Sequence, residues 1–226
     1  MTVDFTNNAN QRTPCVLVLD ASTSMMTRFG STTGIEALNQ GLIEFEQALK
    51  NDDMAVSRVQ VAIVVVGGPT SSAEIMMDWT DADVFDAFPL TAGGNTPLGE
   101  GLILGLEMIE IQKRNIQNAG ISYTRPWMIV MSDGSPTSSS ATWDDAISQT
   151  TAAAANKKAI IYTIGVEGAD MEVLNQISDT PAENMSTVKY NEFFQWLSDS
   201  LSAASQSRPG DTISLPDTNP WRNVGI

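Results

Sequence analysis

The sequence predicts an α/β fold, a doubly wound and mostly parallel six-stranded sheet with helices on both faces. Three observations carry that prediction. Residues 15–19, 59–66, 127–131 and 159–166 are short, nearly unbroken apolar runs, the pattern of strands buried on both faces. Stretches with apolar residues at helical spacing lie between them, so strands and helices alternate along almost the whole length. The first run then switches abruptly to Asp20-Ala21-Ser22-Thr23-Ser24. Ligands of open α/β sheets bind beyond the carboxyl ends of strands, which is where these small polar residues stand.

Each element has its own signal. Cys15 opens the first strand as a small core residue. Residues 34–50 put Leu38, Leu42, Phe45 and Leu49 on one helical face. The β-branched run 59–66 stops at Gly67-Gly68-Pro69. Residues 73–79 read as a third strand, antiparallel because the connection before it is short. A short helical segment is expected over 80–85. In Gly93-Gly94-Asn95-Thr96-Pro97, Thr96 is the expected N-cap and Pro97 the first helical residue. Leu98, Leu102, Leu106 and Ile109 then face inward until Asn118-Ala119-Gly120.

The strand 127–131 ends in Ser132-Asp133-Gly134. A helix over 143–156 has Asp144 and Asp145 in its first turn. A strand at 159–166, a short helix at 171–177 and a weak strand at 187–190 follow. Phe193, Trp196, Leu197 and Leu201 share one face of a last helix. The expected organisation is an N-terminal extension (1–12), one domain (13–205) and an extended tail (206–226). The tail holds Pro209, Pro216 and Pro220 and has no helical periodicity. It either lies along its own domain or acts as a peptide ligand with Trp221 and Ile226 as partner-binding anchors.

Composition excludes several functions. The 27 acidic and 12 basic residues give a net charge of −15. Such a field repels nucleic acid and anionic membranes and attracts cations or basic protein patches; the plainer alternative is that it keeps the protein soluble. The chain has no histidine and one cysteine. That removes Ser-His-Asp, Cys-His and His-metal catalysis, an internal disulfide and a cysteine zinc site. The first 13 residues lack a signal-peptide core, and no segment approaches the roughly 18 apolar residues of a membrane span. A cytoplasmic location is the expectation.

Asp20, Ser22 and Ser24 follow one strand, Thr96 precedes a helix and Asp133 follows another strand. Neighbouring strands would bring both acids to the switch point of the sheet. Oxygen donors without His or Cys suit a hard divalent cation. The plainer alternative is that these residues cap helices and satisfy loop amides.

The set Asp20-Ala21-Ser22-Thr23-Ser24, Thr96 within Gly94-Asn95-Thr96-Pro97-Leu98, and Asp133-Gly134 resembles the metal-ion-dependent adhesion site of von Willebrand factor A domains. The order of strands and helices resembles that family over about residues 13–205. The resemblance implies a strand order 3-2-1-4-5-6 with the third strand antiparallel. It also implies direct ligation by the Ser22, Ser24 and Thr96 hydroxyls, with Asp20 and Asp133 acting mostly through waters. Mg²⁺, which wants about six oxygens at roughly 2.1 Å, fits such a set, with Mn²⁺ or Ca²⁺ as alternatives. A protein partner's Asp or Glu would then complete the coordination.

Within the family, the chain is most similar to the bacterial TerY/YegL-like stand-alone group. The cues are its size, the Gly-Asn-Thr-Pro-Leu loop and Met-Ser-Asp-Gly-Ser-Pro-Thr. This implies a tellurite-resistance or stress system in which a protein kinase and a phosphatase are partners. The cysteine-rich zinc module of some members is missing, since Cys15 stands alone.

The function expected is thus a non-enzymatic, metal-dependent protein-binding module. One alternative is a regulatory substrate of a kinase and phosphatase, through the hydroxyl-rich residues 135–142. Another is a Mg²⁺-dependent phosphohydrolase with Asp20 as nucleophile. No lysine lies between Met1 and Lys50 to hold a phosphate, and no histidine is available as a base.

Overall fold

A computed structural model describes residues 9–166, 168–185, 189–207 and 215–218. Its central sheet holds six strands: β1 (Thr13–Ala21), β4 (Val59–Gly67), β5 (Ser72–Asp81), β6 (Trp127–Ser132), β7 (Ile160–Gly165) and β8 (Glu183–Asn184). Their order is β5-β4-β1-β6-β7-β8. Counting only these six, that is 3-2-1-4-5-6, and β5 alone is antiparallel to its neighbour. A two-residue hairpin, β2 (Arg28–Phe29) and β3 (Thr32–Thr33), stands outside the sheet.

β1 is central, and all nine of its residues are buried. Cys15, Leu17 and Leu19 face a layer made by α1 (Gly34–Lys50) and α6 (Tyr190–Ser205). Val16 and Val18 face the layer of α3 (Leu98–Asn118) and α4 (Ser140–Ala155). The alternation follows from the two-residue period of a strand. Each fully buried aliphatic side chain contributes about 1.5–3 kcal/mol. The unbroken run 15–19 therefore holds both layers on the sheet.

Helix α3 lies close against the sheet because Gly101 has no side chain. A Cβ there would meet Val66 at 2.3 Å and Val18 at 3.3 Å. That approach brings the loop ahead of α3 down onto the end of β1. Leu38, Leu42, Phe45 and Leu49 are buried on α1, as are Phe193, Trp196, Leu197 and Leu201 on α6.

Several expectations are corrected. Residues 80–85 are not helical. β5 runs on to Asp81, paired with Gln60, and a turn follows in which the Val84 amide donates to the Asp81 carbonyl. Pairing with β4 outweighs the local capping signal of Asp81 and Asp83. Helix α4 begins at Ser140, with Ser139 as its N-cap accepting from the Thr142 amide, so Asp144 and Asp145 lie beyond its first turn. The sixth strand is Glu183–Asn184 and not 187–190. Tyr190 already begins α6, while residues 187 and 188 lie outside the described residues. Two short helices frame the ends: α2 (Asp53–Arg58), capped by Asp52, and α5 (Met171–Leu174), capped by Asp170. In the tail, Leu215 packs on the core and the Pro216 carbonyl accepts from Trp196 Nε1 at 3.0 Å. Trp221 and Ile226 lie outside the described residues.

Candidate functional site

Three loops meet at the rim formed by the carboxyl ends of β1, β4 and β6. Asp20 is buried on β1, where Oδ1 accepts from the Ser22 amide at 2.8 Å and Oδ2 from Ser132 Oγ at 2.7 Å. Past β1 the chain makes a tight turn over Thr23–Met26. This turn sets Ser22 Oγ and Ser24 Oγ 2.8 Å apart, with Ser22 buried and Ser24 exposed.

The loop at residues 93–97 is pinned beside them. The Gly93 amide donates to the Ala21 carbonyl at 2.8 Å, and both the amide and Oγ1 of Thr23 donate to the Gly94 carbonyl. Gly67 makes the approach possible, with φ +89° at the end of β4. A Cβ there would lie 2.6 Å from the Asn95 oxygen and 2.9 Å from the Ser22 nitrogen. Left-handed backbone and missing side chain are both required at this position.

Ser132 ties β6 to β1 through Asp20, and Asp133 is the next residue, half-buried, its Oδ1 accepting from the Ser135 amide at 3.0 Å. Thr96 is buried. It does not cap α3, which starts at Leu98 with Pro97 at the cap position and no side-chain cap bond. Its carbonyl accepts from the Leu98 and Thr137 amides at 2.7 and 2.8 Å, and its own amide donates to Thr137 Oγ1 at 3.1 Å. Asp20, Ser22, Ser24, Thr96 and Asp133 thus occupy one rim of the sheet.

Electrostatics make the rim unusual. Burial pushes the Asp20 carboxyl up from its ordinary range. Hydrogen bonds from Ser22 and Ser132 oppose that, and the nearby Asp133 charge adds to it. Among the described residues no Lys or Arg pairs with Asp20. A buried carboxyl near a second one is neutralised either by a proton or by a cation. The available donors are all hydroxyl or carboxylate oxygens, the set a hard divalent ion prefers. The described residues hold no cluster of three or more His, Cys, Asp or Glu; the predicted set has only two carboxylates, and its other donors are hydroxyls. A cleft of about 340 Å³ adjoins these oxygens, its wall including Ser24, Asp133, Met25, Phe29 and Val166.

The family model for the von Willebrand factor type A domain matches residues 15–200. The chain belongs to the von Willebrand factor type A family. No curated protein matches it in sequence. Solved structures resemble it in fold. The pilus adhesin SpaC of Lactobacillus rhamnosus GG, in its open conformation, is 17% identical with a TM-score of 0.66, over 87% of this chain and 31% of SpaC. The chain therefore spans about a third of that protein. The domain of the type V pili tip protein Mfa5 from Porphyromonas gingivalis is 14% identical with a TM-score of 0.60, over 88% of this chain and 98% of Mfa5's. The SpRpn10 VWA domain is 14% identical with a TM-score of 0.56, over 80% of this chain and 93% of that one.

In this von Willebrand factor A domain, reading the sequence missed three polar residues at the rim. Ser132 holds Asp20 from β6, Thr137 holds the loop ahead of α3, and Ser138 holds the first turn of α3. The only signal was the density of hydroxyls in Ser132-Asp133-Gly134-Ser135-Pro136-Thr137-Ser138-Ser139. Nothing in that run said which hydroxyl faced which loop.

Proposed function

We infer that the chain is a protein-interaction module that captures a partner's Asp or Glu through a divalent cation, Mg²⁺ in the first place. Ser22, Ser24 and Thr96 would hold the ion with their hydroxyls, and Asp20 and Asp133 would supply its negative environment. The observation that carries this reading is the buried Asp20, bound by two hydroxyl-bearing residues and, among the described residues, in no ion pair with a basic side chain. A bound Mg²⁺ supplies a Lewis-acidic position that an outside carboxylate can fill.

The chain's own residues do the rest. Ser132 and the Ser22 amide orient Asp20. The adjoining cleft gives room for a side chain next to the captured acid, with Met25, Phe29 and Val166 as its apolar wall. Partner proteins, and not small substrates, suit a shallow rim that carries no histidine base. A TerY/YegL-like place in a tellurite or stress system, beside a kinase and a phosphatase, is the pathway this reading favours; it rests on the loop motifs alone. The pilus proteins that share the fold mark adhesion outside the cell as the rival setting. No helix among the described residues is long and apolar enough to cross a membrane.

The test is affinity capture from extract of the source cells with the full chain, in Mg²⁺ and in EDTA. The expected result is a partner that elutes with EDTA and is not retained by the Ser22→Ala/Ser24→Ala variant. Equal retention by wild type and variant, with and without EDTA, would overturn the reading.

A further inference from the structure

We propose that Thr137, assisted by Ser138, is a positioning residue, a clasp that holds the Thr96 loop in register with the Asp133 loop. The proposal rests on the metal reading above. Its basis is a pair of reciprocal contacts between segments 41 positions apart. The Thr96 amide donates to Thr137 Oγ1 at 3.1 Å, and the Thr137 amide donates back to the Thr96 carbonyl at 2.8 Å. Just beyond, the Gly99 amide donates to Ser138 Oγ at 2.9 Å, and that hydroxyl donates to Glu100. The approach is tight, since a Cβ on Gly99 would lie 3.0 Å from Ser138 Oγ.

The two sides of the Thr96 loop are held differently. Toward β1, the acceptors are the backbone carbonyls of Ala21 and Gly94. Toward β6, the acceptors include two side-chain hydroxyls, which substitution can remove. Asp133 and Thr137 belong to the same short loop, so Thr137 ties the backbone of Thr96 to the loop that carries Asp133. Groups that orient metal ligands without touching the metal change affinity by about 10- to 100-fold when removed. Thr137 is exposed, so its loss leaves the core intact.

The experiment compares the wild-type chain with Thr137→Val, Thr137→Ser and Ser22→Ala/Ser24→Ala. Each is titrated with Mg²⁺ by calorimetry and melted in EDTA and in Mg²⁺. Thr137→Val keeps the branched shape without the hydroxyl, and Thr137→Ser keeps the hydroxyl. The clasp predicts Mg²⁺ binding weakened about tenfold or more in Thr137→Val, near wild type in Thr137→Ser, and similar melting of wild type and both Thr137 variants in EDTA. Unchanged Mg²⁺ affinity in Thr137→Val overturns the clasp, as does an equal loss in Thr137→Ser. If wild type binds Mg²⁺ and the double serine variant does not, such a result removes the clasp and leaves the metal reading standing. If wild type itself binds no Mg²⁺, both fall.

Discussion

The two rims of the sheet handle buried polarity in opposite ways. At the amino ends of β1 and β4, Arg12 is fully buried and faces Asp81 at 4.0 Å, and its Nη1 donates to the Ser57 carbonyl at 3.1 Å. Gln60 donates to Asp81 at 2.8 Å and accepts from Gln112 at 2.7 Å, while Thr124 donates to Thr13 at 3.0 Å. Burial lowers the Arg12 pKa, and Asp81 and Asp83 oppose that shift. At this rim the fold itself sets a cation against an anion and ties the neighbouring amides to them. At the carboxyl ends, Asp20 is as deeply buried but has only hydroxyl and amide donors for partners and another carboxylate nearby. The difference is that the fold matches a buried cation with an anion at one rim and, among the described residues, gives the buried Asp20 no basic partner at the other.

The comparison breaks most readily at Arg12. Arg12→Ala strips this rim of its cation and removes the Nη1 donor from the Ser57 carbonyl. The expected loss is roughly 3 kcal/mol of unfolding free energy, read from urea denaturation. The loss should be the same in Mg²⁺ and in EDTA, because this rim takes no part in metal binding. A loss that depended on Mg²⁺ would tie the two rims together and undo the contrast.

Asp20→Asn sharpens it with a smaller effect of opposite sign. The amide keeps an acceptor for the Ser22 amide and removes the unbalanced buried charge. In EDTA the variant should be more stable than wild type by about 1 kcal/mol. In saturating Mg²⁺ the order should reverse, since only wild type gains from the ion. A variant less stable than wild type in EDTA would show that the Asp20 charge is already balanced within the protein.

Much of this was legible in the sequence, for identifiable reasons. The runs 15–19 and 59–66 are unbroken because β1 and β4 are covered on both faces, and α1 shows its buried stripe at Leu38, Leu42, Phe45 and Leu49. The positions of Asp20, Ser22, Ser24 and Asp133 were legible because they sit at or just past strand ends, and that of Thr96 because it precedes a helix. What stayed hidden was set by distant contacts. β5 extends through Asp81 because Gln60 and Val61 pair with it, which overrides a local helix-start signal. Thr96 looked like an N-cap, yet its amide and carbonyl are engaged with Thr137, 41 positions away. The hairpin Arg28–Phe29/Thr32–Thr33 has strands too short to carry a period. Helix α2 is a single six-residue element, too short to show a periodic stripe, and is capped by Asp52, which accepts from the Met54 and Ala55 amides.

The central claim is that the oxygens at the carboxyl rim bind a divalent cation. The most direct measurement is calorimetric titration of the metal-stripped full chain with Mg²⁺, beside the Ser22→Ala/Ser24→Ala variant. The account predicts saturable binding of one ion by wild type and none by the variant. Equal heats from both proteins, or no saturable binding by wild type, would contradict it.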